Sequence, residues 1–413
     1  MTERAHAERL DAEDPLARVR ERFVVDDPEL IYLDGNSLGR LPLETRDRLR
    51  ELADQWGSDL VRGWHDWIDL PERIGDLLAS GVLGARPREV IVADSTTVNL
   101  FKLAGAVLET TPGAIVTDAG NFPTDRYVLD GLARLHGREL REFAADPIDG
   151  PQPEDVEREC AHGDVALVVL SHVAYRSGAL ADIEAINRAA GPARVIWDLS
   201  HSAGAVPAEL GKRGVELAVG CTYKYLNAGP GAPAFLYVRE ELQADLRTPI
   251  QGWFGQRDQF RMERPYDPAP GVRGFLAGTP TILALGAVEE GARLVAEAGV
   301  ERLRAKASQL TELIVALHDE RLAELGFRLG SPRDPARRGA HVSLAHDEAW
   351  PICRALIERA RVIPDFRGPD SIRLGVPPLY TRFVDVYDAV ERLVTLVERG
   401  DHRGIDDRPL RVT

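Results

Sequence analysis

Short apolar runs alternate with segments of helical periodicity between about residue 75 and residue 240. Such runs are typical of strands, and apolar positions three and four residues apart are typical of helices. The run at 165–170 is apolar throughout, as expected of a strand buried on both faces. The pattern predicts strands at 89–93, 114–117, 165–170, 194–197 and 217–220, and helices at 97–108, 125–135 and 182–190. Strands separated by helices predict an α/β fold with a mostly parallel sheet covered by helices.

The pattern changes after residue 250. Residues 251–280 are rich in Gly, Pro and Arg and predict a long connection, which in a compact protein suggests a function. The residues beyond it predict helices at 281–297, 300–324 and 384–398, and strands at 341–344 and 371–374. We therefore predict a large α/β domain at 45–275 and a smaller α+β domain at 276–413, with the segment 1–44 packing against the small domain.

The composition of the 413 residues excludes several classes of protein. Apolar residues make up 44% of the chain and charged residues 28%, which excludes a disordered or fibrous protein. The formal net charge of −15 argues against nucleic acid and anionic membranes as partners, because both are negatively charged. The N-terminus is charged where a signal peptide would be apolar, and no apolar stretch is long enough to span a membrane. We expect a soluble, cytoplasmic protein.

Cysteine and lysine are both rare in this chain. Three cysteines, none in a CxxC pair, predict a reducing compartment and no metal site. Only four of the 51 basic residues are lysines, and the rest are arginines. A guanidinium cannot replace an amine that must lose its proton and attack a carbonyl. Each lysine of this chain is therefore a candidate for chemistry.

The first candidate site lies at 94–97, between a predicted strand and a predicted helix. A helix start leaves backbone N–H groups free and carries partial positive charge, so it can receive an anion such as phosphate. Thr96 and Thr97 would add hydroxyl donors. The alternative is an ordinary Ser or Asp N-cap. No dinucleotide or P-loop glycine pattern accompanies the segment.

The second candidate is Asp198, which comes directly after the strand at 194–197. Ligands of α/β sheets bind at the carboxyl ends of strands, where a carboxylate can hold the protonated ring nitrogen of a cofactor. His201 is three residues further on and could lie beside it. The alternative is an aspartate that caps the following turn and a histidine buried for structural reasons.

The third candidate is Lys224, which follows the strand at 217–220 and stands between Tyr223 and Tyr225. Partial burial there would disfavour the ammonium form and prepare an amine for a Schiff base. The other three lysines are predicted to be structural. An anion cradle, an aspartate after a central strand and a lysine after the next strand are, in this order, the parts that pyridoxal phosphate needs.

Further segments complete the pattern: LDGNSLG at 33–39, WIDLP at 67–71, DSTTVN at 94–99, NFPTD at 121–125, WDLSHS at 197–202, YKYLN at 223–227, GWFG at 252–255 and GTP at 278–280. With these segments the chain resembles the bacterial-type kynureninases over about residues 20–400. That family belongs to the fold-type-I pyridoxal-phosphate enzymes of the aminotransferase class V group. The resemblance implies hydrolysis of L-kynurenine, or of 3-hydroxykynurenine, to the corresponding anthranilate and L-alanine.

The resemblance also implies roles for individual residues. Lys224 would carry the cofactor and move the Cα proton, Asp198 would pair with the pyridinium nitrogen, and Tyr223 would serve as a phosphate ligand or proton donor. The remaining cofactor-binding residues of this chain would be Thr96, Thr97, Phe122, Asp125, His201, Trp253 and Thr279. Trp253 and Thr279 would reach the neighbouring subunit, which implies a homodimer with shared active sites. The substrate would contact Arg373, Asn36, Ser37, Trp64 and His65.

Other functions share parts of this pattern. An aminotransferase or a C–S lyase would use the same lysine and aspartate. A cysteine desulfurase also needs a reactive cysteine late in the chain, whereas Cys353 lies inside an apolar helical pattern. A non-catalytic protein that binds a phosphorylated ligand at 94–97 is a further alternative. The sequence does not distinguish catabolism from secondary metabolism.

Overall fold

The computed structural model describes residues 2–262 and 265–405. Its helices are α1 Arg4–Glu13, α2 Leu43–Asp59, α3 Trp64–Trp67, α4 Leu70–Leu78, α5 Thr96–Thr110, α6 Pro123–His136, α7 Pro153–Cys160, α8 Ile183–Ala189, α9 Ile282–Ala298, α10 Val300–Leu317, α11 Ala349–Arg359 and α12 Phe383–Glu398. Its strands are β1 Ile31–Tyr32, β2 Val90–Val92, β3 Ala114–Asp118, β4 Leu140–Phe143, β5 Val165–Ser171, β6 Arg194–Asp198, β7 Leu217–Gly220, β8 Phe235–Val238, β9 Arg328–Leu329, β10 His341–Ala345, β11 Val362–Ile363, β12 Asp365–Arg367 and β13 Ser371–Gly375.

The central sheet of the described residues has seven strands in the order β2-β8-β7-β6-β5-β3-β4. Neighbouring strands from β7 to β4 are parallel, and β8 runs antiparallel to both β2 and β7. Every residue of β2, β3, β7 and β8 is buried, because helices cover the sheet. The predicted α/β fold with a mostly parallel sheet is therefore confirmed.

Two strands of this sheet, β4 and β8, are absent from the predicted set. The sequence of β8, FLYV, is wholly apolar and buried, so its apolar run carries a strand signal. The sequence of β4, LREF, lies at the edge of the sheet and is mostly half-buried or exposed, which explains its weak signal. The predicted elements otherwise match within two residues, except that α10 ends at Leu317 and shorter helical turns continue to Leu325.

A second, antiparallel sheet of the described residues has the strand order β12-β13-β10-β9. The N-terminal segment contacts this part of the chain: β1 pairs with β11, and α1 packs against α12. The backbone N–H groups of Phe383 and Val384 donate to the Asp11 carboxylate at 2.8 and 3.0 Å, which ties the two helices together. The boundaries of the predicted three-part division stay a prediction. No helix of the described residues is long and apolar enough to cross a membrane.

Candidate active site

A cavity of about 200 Å³ lies where β2, β5, β6 and β7 end at the same edge of the central sheet. The chain reaches this edge from separate segments because parallel strands bring their carboxyl ends together. Eight residues predicted for the site line the cavity: Thr96, Thr97, Phe122, Asp125, Asp198, His201, Tyr223 and Lys224. The three candidate sites of the sequence therefore meet in one place.

The anion cradle is the first turn of α5. The Ser95 hydroxyl caps the helix by accepting a hydrogen bond from the backbone N–H of Val98 at 3.3 Å. Thr96 is half-buried and Thr97 is exposed, so both hydroxyls can reach a ligand. The first N–H groups of a helix have no partner within the helix, and this helix points them at the cavity. The N-cap interpretation of the segment is confirmed, and the cradle interpretation stays a prediction.

Two aspartates lie in contact range deep in the cavity. Asp198 ends β6, and its carboxylate accepts a hydrogen bond from the backbone N–H of Ser200 at 2.8 Å. Asp125, in the first turn of α6, is buried with 1% of its surface exposed. Burial raises the pKa of Asp125 well above its ordinary value, and the negative charge of Asp198 raises it further. Burial therefore favours the protonated form of Asp125 beside Asp198.

Lys224 is the buried amine of the cavity. Within the described residues its Nζ has no hydrogen-bonded partner and contacts the rings of Phe122, at 5.7 Å, and Tyr223, at 5.9 Å. Burial lowers the pKa of Lys224, because the ammonium loses its hydration without a carboxylate in direct contact. This environment favours the neutral amine, which is the form that attacks a carbonyl.

The turn at 33–39 holds the backbone of Lys224 in place. The N–H of Gly39 donates to the carbonyl of Tyr223 at 2.8 Å. A Cβ atom at Gly39 would lie 2.4 Å from the Lys224 carbonyl oxygen, so only glycine permits this approach. Burial raises the pKa of the Tyr223 phenol, which therefore keeps its proton at neutral pH. The glycine turn is thus part of the frame of the site.

His201 lines the same cavity as Asp198, and its ring lies edge-on to His341, at 5.5 Å between ring centroids. Burial lowers the pKa of His201 well below its ordinary value, so the ring is neutral. Among the described residues, neither Nδ1 of His201 nor Oδ2 of Asp125 has a hydrogen-bonded partner. Buried polar atoms without partners are costly, and because the residues of these two line the cavity, a ligand there could complete them. A helix N-terminus, a carboxylate, two unpartnered polar atoms and a free amine fit pyridoxal phosphate.

Arg373 lies behind this cavity in what we call the arginine cluster: Arg373, Arg367, Asp365 and Ser37. Arg373 and Asp365 face each other across β13 and β12, and their side chains are 1% and 0% exposed and form an ion pair. Arg367 also contacts Asp365, at 3.2 Å, and Ser37 donates to Asp365 at 3.1 Å. Burial lowers the pKa of Arg373 to about 10, so its guanidinium stays charged at neutral pH.

The arginine cluster and the cavity share the segment of Tyr175. Arg373 donates to the carbonyl of Tyr175, whose ring lies edge-on to Phe122 at 5.3 Å between centroids. Asn36 is fully buried against Gly375 and does not line the cavity. Arg373, a predicted substrate-binding residue, is therefore separated from the cavity by one residue, Tyr175.

Besides Arg373, Asn36 and Ser37, four further predicted residues lie outside the cavity. Trp64 packs against Trp67 and Phe254, at 5.9 and 5.7 Å between ring centroids, and His65 is exposed. The other two predicted residues in this group, Trp253 and Thr279, are exposed. Thr279 lines a neighbouring cavity of about 280 Å³ that shares Asp94, Ser95 and Gly231 with the first. The resemblance implied that Trp253 and Thr279 reach the neighbouring subunit, and it implied no such distinction for Trp64 and His65.

Ser171 and Tyr175 are among the residues outside the predicted set that line the cavity. Ser171, at the end of β5, donates from its hydroxyl to Asn121 Oδ1 at 2.7 Å and faces the space above Asp198. A polar residue at the end of an apolar strand was the signal that identified Asp198, and it applies equally to Ser171. Tyr175 reaches the cavity from an irregular loop, where no periodicity marks it.

Comparison with solved structures defines the class of protein. A cysteine desulfurase of Thermococcus onnurineus superposes with a TM-score of 0.74 at 20% identity, covering 93% of this chain and 96% of that one. A mutant of C-DES, described with glycine covalently linked to its PLP cofactor, superposes with a TM-score of 0.80 at 18% identity, covering 91% and 98%. At this level of identity the likeness shows the fold, which is that of the fold-type-I pyridoxal-phosphate enzymes.

Comparison of sequences defines the family. The chain is 42% identical to the kynureninase of Pseudomonas fluorescens over 97% of this chain and 96% of that protein. It is 41% identical to the kynureninase of Burkholderia pseudomallei strain K96243 over 96% of both chains. The family model of the kynureninase C-terminal domain matches residues 303–393. The chain belongs to the kynureninase family, as its motifs predict.

Proposed function

We propose that this protein hydrolyses L-kynurenine to anthranilate and L-alanine, with pyridoxal phosphate as its cofactor. The observation that carries the proposal is the meeting of Lys224, Asp198 and the start of α5 in one cavity of a kynureninase-family chain. When bound, pyridoxal phosphate supplies an electron-withdrawing ring that acidifies the Cα–H bond of an amino acid.

Different residues of the cavity would bind different parts of the cofactor. The N–H groups of α5 and the hydroxyls of Thr96 and Thr97 would bind the phosphate. Asp198 would bind the ring nitrogen and keep it protonated, and Phe122 would cover one face of the ring. Burial disfavours a second negative charge, on Asp125, beside that nitrogen. His201, being neutral, adds no positive charge that would expel a cationic ring.

The same residues can move protons. Lys224, with its lowered pKa, is suited to take the proton from the substrate's Cα and to return it. Tyr223 keeps its phenol proton and lies beside Lys224, so it can donate that proton to the substrate carbon released by Cβ–Cγ cleavage. Arg373 would pair with the substrate's α-carboxylate, for which a planar guanidinium is the best receptor. Ser37 and Asn36 would lie on the same side of the substrate.

We further propose a homodimer in which each site uses residues of both subunits. Trp64, Trp253 and Thr279 belong to one region, because Trp64 and Trp253 both pack on Phe254, whose N–H donates to the carbonyl of Ala277 at 3.2 Å. His65 belongs to the same region and is exposed. These four predicted residues, which do not line the chain's own cavity, are therefore neighbours in one region of the chain. A partner that offers the same region to this cavity would complete the site.

Hybrid dimers test this arrangement. Lys224→Ala and Trp253→Ala subunits, carrying different tags, are co-expressed, and the mixed dimer is isolated. If sites are shared, one of the two sites in the hybrid has both intact residues, and about half of the wild-type activity returns. If each site belongs to one chain, both sites carry a lesion and the hybrid is as inactive as its parents. The oligomeric state is measured on the same samples.

The reaction itself is tested with purified protein and L-kynurenine. The proposal predicts anthranilate fluorescence together with an equal amount of alanine. An oxo acid instead of alanine indicates an aminotransferase and contradicts the proposal, and so does the absence of any product. Comparison with 3-hydroxykynurenine under the same conditions measures the substrate preference, and a cytoplasmic location stays a prediction.

A cysteine desulfurase is the alternative that the solved structures with this fold would suggest. All three cysteines are buried, and burial raises the pKa of Cys160 to about 11 and of Cys353 to about 12. A nucleophilic cysteine needs exposure and a lowered pKa. The environment of these thiols therefore favours the kynureninase reaction.

A further inference from the structure

Lys102 is a buried lysine next to the phosphate cradle, with 0% of its side chain exposed. It lies inside α5, two turns after the Thr96–Thr97 cradle. Its ammonium donates to the carboxylate of Asp94, in an ion pair, and to the carbonyl oxygen of Phe275 at 2.6 Å. The sequence predicts a structural lysine here, and these two contacts suggest a more specific role.

Asp94 is the other half of the pair, and its position is unfavourable for an anion site. It lines both the cofactor cavity and the neighbouring cavity of Thr279, with 31% of its side chain exposed. Its backbone is left-handed, with φ 52°, a conformation that Asp and Asn tolerate because of their short polar side chains. A carboxylate at this point repels the phosphate that α5 is arranged to receive, unless a cation neutralises it.

We propose that Lys102 is a positioning residue for the cofactor's phosphate, and this inference rests on the cofactor site described above. Its charge cancels that of Asp94 at the rim of the cradle. Its second hydrogen bond fixes the carbonyl of Phe275, four residues before Thr279, against α5. One buried ammonium thus holds the turn before the cradle and the loop beside it in the geometry that admits a phosphate.

The arrangement favours lysine over arginine in a chain that otherwise uses arginine. A compact ammonium fits between a helix and a loop and donates in two directions, whereas a planar guanidinium needs more space. A core lysine with a purely structural role would give the same burial. A positioning role and a purely structural role predict different affinities for pyridoxal phosphate when the charges of Lys102 and Asp94 are removed together.

A double-mutant experiment separates them. Apo-forms of Lys102→Met, Asp94→Asn and the combined variant are titrated with pyridoxal phosphate and, separately, with pyridoxal, which lacks the phosphate. Lys102→Met is expected to weaken pyridoxal phosphate binding by about tenfold or more, equivalent to ~1.4 kcal/mol. The same variant should bind pyridoxal within about twofold of the wild type. The combined variant should regain pyridoxal phosphate affinity to within about threefold, because no unpaired carboxylate remains.

Lys212→Met is the matched control, since Lys212 is exposed and pairs with Glu209 at 2.8 Å far from the cradle residues in sequence. Equal weakening of pyridoxal and pyridoxal phosphate, or a combined variant as weak as Lys102→Met, overturns the inference. If Lys102→Met does not fold, Asp94→Asn alone decides: we expect equal or tighter pyridoxal phosphate binding, and a tenfold loss contradicts the inference. Failure of the wild type to cleave kynurenine while it binds pyridoxal phosphate refutes the proposed reaction and leaves this inference standing.

Discussion

The cofactor cavity and the arginine cluster are both buried, yet the cation of each region is in a different state. In the cavity, Lys224 has ring contacts and no hydrogen-bonded partner among the described residues, and atoms of Asp125 and His201 are likewise unpartnered. In the cluster, the Arg373 guanidinium is paired with Asp365 and donates to the carbonyl of Tyr175. Arg373 Nε and Asp365 Oδ1 also lack hydrogen-bonded partners among the described residues. The difference is that the cation of the cavity has no carboxylate in contact, whereas the cation of the cluster is paired with the chain's own Asp365.

This difference shows two ways in which a binding site can be arranged before its ligand arrives. Unpartnered groups in the cavity make the cofactor part of the folded structure, because it satisfies atoms that are otherwise buried at a cost. Arg373 is held in place by Asp365, and a substrate carboxylate must share or replace that internal partner. Arg367, at 3.2 Å from Asp365, is positioned to keep the internal carboxylate neutralised when this happens. The comparison predicts that changes in the two regions have separable effects.

The largest effect is expected for Lys224→Ala. Without the amine, kynurenine cleavage should fall by about 10³-fold or more, because no other lysine lines the described cavity to take its place. The visible absorbance of the protein–cofactor complex should disappear with it. Lys212→Ala, an exposed lysine, is the control and should retain both properties. Unchanged absorbance in Lys224→Ala would refute the assignment of the amine.

A smaller effect, on substrate alone, is expected for Arg373→Lys. A lysine loses the planar pairing with a carboxylate, so kcat/KM should fall by about 10²-fold, mostly through KM. The affinity for pyridoxal phosphate should stay within about twofold, because Arg373 does not line the cofactor cavity. Arg126→Lys, which alters an ion pair with Glu142 on the surface, is the control. An equal loss of cofactor affinity would show that the two regions are not separable.

The smallest effect concerns stability and pH. His172 lies behind Asp198, fully buried, and burial lowers its pKa from 6.5 to about 3. Between pH 7 and pH 5 the unfolded chain takes up a proton on this residue and the native protein does not, so stability falls as the pH falls. Over this pH range the residue lowers the free energy of unfolding by about 2 kcal/mol. Denaturant unfolding of the apo-protein should therefore show a weaker loss of stability in His172→Gln than in the wild type, and equal losses would contradict the buried, neutral histidine.

Sequence reasoning located the cofactor side of the site better than the substrate side, for a physical reason. Asp198 and Lys224 follow apolar strands, and the carboxyl ends of parallel strands converge, so strand order alone brings them together. The partner of Arg373 depends on the register between β12 and β13, and β12 is a three-residue strand with two charged residues and no readable periodicity. The antiparallel direction of β8 and the loop position of Tyr175 likewise depend on packing across the whole sheet.

Lys224 and Lys102 show the same limit of prediction from sequence. The rarity of lysine pointed to chemistry, and the position after β7 singled out Lys224. Lys102 lies in a regular helical pattern, and only the folded chain brings it to Asp94, eight residues earlier, and to Phe275 in a distant loop. A role that depends on a long-range contact leaves no periodic signal in the sequence.

The most direct test of the account is to find where the cofactor is attached. The protein is saturated with pyridoxal phosphate, reduced with borohydride, digested and examined by mass spectrometry. With only four lysines in the chain, every possible site can be followed. The account predicts the pyridoxyl-phosphate mass on the peptide of Lys224, in full yield. Its presence on Lys102, Lys212 or Lys306, or an unmodified Lys224, would contradict it.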